Sequence, residues 1–308
     1  MSLAFVFPGQ GSQAVGMMAG WAEMPIVKAT FDEASSVLGQ DLWAMVSDGP
    51  AEALNATVNT QPVMLAAGVA VWRAYQARGG AQPAVLAGHS LGEYSALVAA
   101  EVLSFGDALE LVRLRAEAMQ EAVPAGTGAM AAILNLADAD IIAACAESAQ
   151  GEVVQAVNFN SPGQVVIAGH KAAVERACEA CKARGAKRAL LLPVSVPSHC
   201  DLMRPAAAKL AAKLATIELQ APVIPVLHNA DVASYSNPEQ IRDALVRQLY
   251  QPVRWVETVQ KMVADGVDLV AECGPGKVLV GLNKRIAPEL NSVALVDGVA
   301  LDALLSAE

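Results

Sequence analysis

Apolar residues occur along this chain in two patterns. Short uninterrupted runs are punctuated by glycine and proline, and between them lie longer stretches with apolar positions every three or four residues. The first pattern predicts strands buried on both faces, the second amphipathic helices. Leu3–Phe7 is an apolar run stopped by Pro8-Gly9-Gln10-Gly11, a buried strand entering a loop. Helical spacing fills much of 25–77, a strand is expected over 84–88, and a helix around Phe105–Ala122 closes before Pro124. The pattern then changes. Strands at 130–134, 152–158, 164–168 and 187–193 interleave with helices at 138–148 and 171–184, with Ser161-Pro162-Gly163 turning the middle strand pair. That β-α-β-β-α-β order is the split βαβ of a ferredoxin-like domain, with Gly126 and Pro193 as hinges. After His199, strands at 223–229 and 268–273 alternate with helices at 205–216, 238–250, 255–265 and 277–286. Such alternation predicts a parallel sheet covered on both faces. The expected fold class is therefore α/β. A large domain with a parallel sheet, 1–125 and 195–308, is interrupted by a small ferredoxin-like domain, 126–194.

Composition narrows this picture. The 308 residues suit one or two domains, and 54% hydrophobic against 17% charged residues favours a compact core over disorder. A net charge of −10 argues against nucleic acid as a partner. The odd count of five cysteines and the lack of a basic leader predict a reduced, cytoplasmic protein. Cys178-Glu179-Ala180-Cys181 is formally C-x-x-C, but it lies in a helical pattern with no second pair nearby, so no metal or bound cofactor is expected. The uncharged segment 53–72 is broken by Asn55, Asn59, Gln61 and Pro62, so no membrane span is expected.

The candidate chemistry centres on Gly88-His89-Ser90-Leu91-Gly92, a G-x-S-x-G pentapeptide between a predicted strand and a helical run. In that setting the pattern is a nucleophile elbow: the turn lifts the serine hydroxyl above the sheet, and the glycines leave room for it. The first N–H groups of the following helix lack internal partners and can face a developing oxyanion. A Gly-rich turn with a capping serine is the plainer alternative.

Of the four histidines, His89 is committed to the turn and His170 opens a small-domain helix. His228 ends a strand-like run, and His199 sits in a loop just after the inserted domain. Such loops carry chemistry in α/β enzymes, so His199 is the favoured base and His228 the second choice. No acid stands out as a third member; Asp201 is close in sequence, and a backbone carbonyl can also fix the tautomer. In the helix around Phe105–Ala122, Arg113 lies between Glu110 and Glu117 on a solvated face, whereas Arg115 falls on the apolar face with Leu111, Ala118 and Met119. Arg115 is either a snorkelling side chain or a buried guanidinium awaiting a substrate carboxylate. Gln10, in the glycine loop after the first strand, is a candidate donor of an oxyanion-hole N–H.

Phe7-Pro8-Gly9-Gln10-Gly11-Ser12-Gln13, Gly88-His89-Ser90-Leu91-Gly92-Glu93-Tyr94, Arg115, Asn158-Phe159-Asn160-Ser161-Pro162-Gly163-Gln164, Val196-Pro197-Ser198-His199 and Gly274-Pro275-Gly276 together resemble the malonyl-CoA:acyl carrier protein transacylase family. The resemblance spans nearly the whole chain. It implies an α/β-hydrolase-like large domain with the ferredoxin-like insertion, Ser90 as the acylated residue and His199 as its base. It further implies that Arg115 binds the malonyl carboxylate, that backbone N–H groups of Gln10 and Leu91 form the oxyanion hole, and that the Gln248 backbone carbonyl orients His199. Leu91 and the small Ser198 resemble malonyl-selective members. The implied partners are malonyl-CoA and holo acyl carrier protein, for a free-standing monomer in dissociated fatty-acid synthesis. An acidic carrier needs a basic patch: Lys182, Arg184, Lys187 and Arg188 are candidates, with Lys284 and Arg285 a second possibility. A serine thioesterase would share Ser90 and His199 without needing Arg115, and a carrier-binding module with a vestigial site would need none of the three.

Overall fold

The computed structural model describes residues 2–194 and 196–307; residues 1, 195 and 308, where expected domain bounds fall, lie outside them. Among the described residues the strands are β1 (Leu3–Phe7), β2 (Val85–Gly88), β3 (Gly128–Leu134), β4 (Val154–Ser161), β5 (Gln164–His170), β6 (Arg188–Leu191), β7 (Val226–Leu227), β8 (Leu269–Cys273) and β9 (Asn291–Leu295). They form two sheets. One is wholly parallel, in the order β7-β2-β1-β8-β9, and the other antiparallel, in the order β4-β5-β3-β6. β1 is central in the first sheet, which is why Leu3–Phe7 is apolar at every position and buried throughout.

The helix Thr57–Ala77 is buried on almost every side from Thr60 to Tyr75 and packs Trp72 and Tyr75 against Phe5 of β1. The antiparallel sheet lies wholly within the segment between the helix Phe105–Ala122 and His199. One of its faces carries the helices Asp138–Ala149 and Lys171–Ala183 over a core that includes Ile133, Ile141, Val165 and Val174. Its other face packs Met130, Val157 and Val166 against Cys200, beside His199. Two backbone hydrogen bonds, Phe159 N–H to the Val253 carbonyl at 3.0 Å and Val253 N–H to the Val157 carbonyl at 2.8 Å, join β4 to the large domain. The small sheet thus forms one wall above the carboxyl ends of β1 and β2.

The strand expected over 223–229 is reduced to Val226–Leu227. Pro222 and Pro225 have no N–H for a ladder, and β7 is an edge strand paired only with β2. The sequence reading assigned nothing after residue 286, yet β9 and the helix Gly298–Ala307 complete the far edge. β9 is half-exposed along most of its length, so it lacks the apolar run that marks the buried strands.

The passage from β2 into the helix Gly92–Ala99 is the tightest point of the large domain. A Cβ on Gly88 would lie 1.9 Å from the Gly92 carbonyl carbon, and one on Gly92 would lie 2.0 Å from the Phe7 carbonyl oxygen. Backbone cannot yield as a side chain can, so Gly92→Ala should lose about 3 kcal/mol, at the upper end of overpacking costs. Gly281, in the helix Val278–Ile286, has open space at its Cβ position. There alanine should gain up to about 1 kcal/mol through helix propensity. Thermal unfolding of both variants checks the pair; equal melting temperatures would contradict this account of the elbow.

Candidate active site

Ser90 occupies the left-handed region at φ 51°, a conformation unfavourable for a residue with a side chain. Tertiary hydrogen bonds hold it there. Its N–H donates to Asn229 Oδ1 at 2.7 Å, while Asn229 Nδ2 donates to the Gly88 carbonyl at 2.6 Å. His89 N–H reaches the Phe7 carbonyl at 3.0 Å. The hydroxyl is thereby turned toward His199, with Ser90 Oγ 2.7 Å from Nε2.

His199 is itself left-handed, at φ 63°, and its N–H donates to the Leu249 carbonyl at 3.1 Å. Nδ1 donates to the Gln248 backbone carbonyl at 2.7 Å, which leaves Nε2 as the acceptor facing the serine. The ring is 3% exposed, and burial, reinforced by the Arg115 charge, lowers its pKa to about 3. A neutral imidazole in contact with a hydroxyl can take its proton.

Arg115 projects from the helix Phe105–Ala122 and is 1% exposed. All its hydrogen-bond partners are neutral: Nη1 donates to Gln61 Oε1 at 2.8 Å, and Nη2 to Gln248 Oε1 at 3.1 Å and Ser90 Oγ at 3.3 Å. Nε has no partner among the described residues. Burial pushes the guanidinium pKa down, yet arginine remains charged in proteins. A buried cation whose hydrogen-bond partners among the described residues are amides and a hydroxyl, with the Tyr94 ring centroid 5.4 Å from the guanidinium, can accept an anionic ligand.

Behind these groups lies a buried polar network. Glu93, in the first turn of the helix Gly92–Ala99, is fully buried. Its carboxylate accepts from His228 Nδ1 at 2.7 Å, from Asn229 N–H at 2.9 Å and from Gln248 Nε2 at 2.9 Å. Gln248 Nε2 also donates to the Ser90 carbonyl at 2.9 Å. These side-chain roles of Glu93, Asn229, Gln248 and Gln61 were absent from the sequence reading. The one legible signal was Glu93, an acid immediately after the glycine-serine motif.

A cavity of about 520 Å³ opens over Ser90, with Gln10, His89, Leu91, Arg115, Asn158, Ser198 and His199 among its lining residues. The backbone N–H groups of Gln10 and Leu91 donate no hydrogen bond within the described residues. The remaining candidates are engaged elsewhere. His89 meets Asn160 Oδ1 at 2.8 Å, His170 Nδ1 accepts from Val153 N–H at 2.9 Å, and Asp201 accepts from Gln155 at 2.9 Å. The Glu110–Arg113–Glu117 face does not form, because half-buried Arg113 donates to Gln40 at 2.6 Å and Glu110 pairs with Lys213. Cys178 and Cys181 face the small-domain core with Cys145, and burial raises their thiol pKa values.

The four basic residues at the end of the small domain do not form one free patch. Lys182 pairs with Glu179 and Arg184 with Glu147, whereas exposed Lys187 and Arg188 line a depression of about 340 Å³ with Arg285.

A serine on a strand-to-helix elbow, held against a neutral imidazole under a mixed α/β cavity, defines a serine-dependent acyl-transfer class of protein. The chain belongs to the acyl transferase domain family, whose model matches residues 4–294. It is 62% identical over 303 residues to the malonyl CoA-acyl carrier protein transacylase of Escherichia coli (strain K12), covering 98% of each chain. It is 45% identical over 298 residues to that of Bacillus subtilis (strain 168), covering 96% of this chain and 93% of the relative. Among solved structures it resembles an acyl carrier protein S-malonyltransferase from Vibrio cholerae, with TM-score 0.97, 63% identity and coverage of 99% and 100%. It also resembles a malonyl-transacylase in complex with a type II PKS acyl-carrier protein, with TM-score 0.99, 58% identity and full coverage of both chains.

The low pKa of His199 carries a sign. The imidazole is a base when neutral, so protonation abolishes function only as pH falls through about 3, well below the ordinary value of 6.5. The kcat/KM profile for the acyl donor should therefore be flat from pH 8 to about pH 5. An acid limb with a midpoint near 6.5 would show a solvated imidazole instead. The same shift destabilises the fold as pH falls from 6.5 toward 3, because the unfolded chain binds that proton first.

Proposed function

We propose that this protein transfers a malonyl group from malonyl-CoA to the phosphopantetheine thiol of acyl carrier protein, supplying extender units for fatty acid synthesis. The carrying observation is the 2.7 Å contact between Ser90 Oγ and His199 Nε2 beside a buried Arg115 whose partners are all neutral. The names of the relatives support the same substrates.

In the first half-reaction Ser90 Oγ attacks the thioester carbonyl and its proton passes to His199 Nε2. The tetrahedral intermediate collapses by breaking the C–S bond, and the departing CoA thiolate takes the proton from Nε2. The second half-reaction runs in reverse order. The pantetheine thiol gives its proton to His199, its sulfur attacks the ester carbonyl, and Ser90 Oγ leaves and is reprotonated. In both intermediates the oxyanion faces the N–H groups of Gln10 and Leu91, each worth roughly 2.7–4 kcal/mol. The Gln248 carbonyl holds the His199 tautomer in place of a triad acid. Arg115 grips the malonyl carboxylate, which selects a carboxyl-bearing acyl group.

The reading includes a division into 1–125 with 195–308 and 126–194, and a cytoplasmic monomer that needs no bound cofactor. Lys187 and Arg188 belong to the carrier-docking surface with Arg285; Lys182 and Arg184 contribute less because they are already paired.

Intact-protein mass spectrometry after brief exposure to malonyl-CoA tests the central claim. A malonyl adduct absent in Ser90→Ala and discharged onto holo carrier protein is expected; loss to water at the same rate without carrier would identify a thioesterase. Arg115→Ala should lower malonyl transfer about 100-fold or more while keeping or raising acetyl transfer. Unchanged malonyl preference would reject Arg115 as the carboxylate ligand. Reversing both charges with Lys187→Glu and Arg188→Glu should raise KM for carrier protein about fivefold to tenfold, with KM for malonyl-CoA unchanged. Equal effects on both substrates would remove these residues from the docking surface.

A further inference from the structure

Three N–H donors converge on Glu93 at 2.7–2.9 Å, from His228, Asn229 and Gln248. A carboxylate accepts from all three when His228 Nδ1 carries its proton, whereas a glutamine would set its own NH₂ against either that N–H or the two donors on Oε2. The Gln248 amide lies between this anion and the Arg115 cation. Its Nε2 donates to Glu93 and to the Ser90 carbonyl, and its Oε1 accepts from Arg115 Nη2. The amide dipole is therefore aligned from a buried negative to a buried positive charge. Asn229 meets the same carboxylate through its backbone. Its backbone N–H is fixed by Glu93, while its side-chain amide spans the elbow from the Gly88 carbonyl to the Ser90 N–H.

We infer that Glu93 is a positioning residue for acyl transfer: its carboxylate orients the Asn229 and Gln248 amides that hold the Ser90 turn and keep Arg115 cationic but not ion-paired. The inference rests on the reading of Ser90 as the acylated residue. Burial of Arg115 without a compensating charge would be costly, and a direct Glu93–Arg115 pair would occupy the guanidinium. An anion one amide away avoids both. It offsets the buried charge and leaves the guanidinium available to an acyl carboxylate. Orientation of Gln248 also matters to His199, because the same residue's backbone carbonyl holds Nδ1.

Single-turnover acylation, followed by mass spectrometry with malonyl-CoA and acetyl-CoA and normalised to the folded fraction, tests this in three proteins. Wild type should form the malonyl adduct; if it does not, the acyl-transfer reading itself fails and Glu93 is not at issue. In Glu93→Gln the maximal rate should fall about 100-fold for both donors at unchanged half-saturation, the size expected for a misplaced nucleophile. A normal rate per folded molecule would reduce Glu93 to a structural role and overturn the inference. Gln248→Met keeps the backbone carbonyl on His199 but removes the amide, so it tests the same relay if Glu93→Gln does not fold. It should lose at least tenfold in maximal rate, and the reciprocal double variant Glu93→Gln/Gln248→Glu should lose malonyl preference over acetyl by at least tenfold. That double variant sets a carboxylate directly against Arg115. Wild-type rates in Gln248→Met, or retained malonyl preference in the double variant, would overturn the inference.

Discussion

The site depends on one backbone constraint: Ser90 is kept left-handed at φ 51° where β2 turns into a helix. A lone residue relaxes from that conformation, so the surroundings must over-determine it. They do so by close approach, with Gly88 packed on Gly92 and Gly92 on the Phe7 carbonyl, and by the Asn229 amide bridging the turn. Every other useful feature follows. The hydroxyl rises toward His199, the Ser90 N–H is consumed inside the protein, and the next N–H, that of Leu91, is left free at the cavity.

The electrostatics are those of a buried site with few charges. His199, Arg115 and Glu93 are all buried; the Gln248 amide lies between Arg115 and Glu93, and the Ser90 hydroxyl between Arg115 and His199. Burial and the guanidinium together keep the imidazole neutral, and a neutral imidazole is the form that accepts a serine proton. The Gln248 carbonyl accepts from His199 Nδ1 and so fixes the tautomer without placing a further charge beside Arg115.

The inserted sheet gives the cavity its second wall. Met130 and Asn158 reach the cavity from β3 and β4, and the backbone bonds at Val253 tie β4 to the large domain. Against an overall charge of −10, basic patches on this surface are local features. Lys187, Arg188 and Arg285 meet where the helix Val278–Ile286 approaches the turn between β4 and β5, brought there from segments about a hundred residues apart in sequence.

The chain order alone determined the layered α/β architecture, since apolar runs of strand length and 3.6-residue periodicity are local properties. It determined the elbow for the same reason: strand, glycine, serine, glycine and helix are contiguous. Loop position and helix face singled out His199 and Arg115 as candidates, the resemblance gave them their roles, and it alone pointed to the Gln248 carbonyl, 158 residues from Ser90 in sequence. Only the tertiary structure decided which distant groups share a proton or a charge. Glu93, given no role from the sequence, is the acceptor of three donors, while His228 and Asp201, both plausible beside a serine, turned out to be engaged elsewhere. It also decided that Lys182 and Arg184 are neutralised where Lys187 and Arg188 are not. Periodicity reports which face of an element is buried; hydrogen bonds and ion pairs depend on ångström-scale distances between elements, and those are set only when the chain packs.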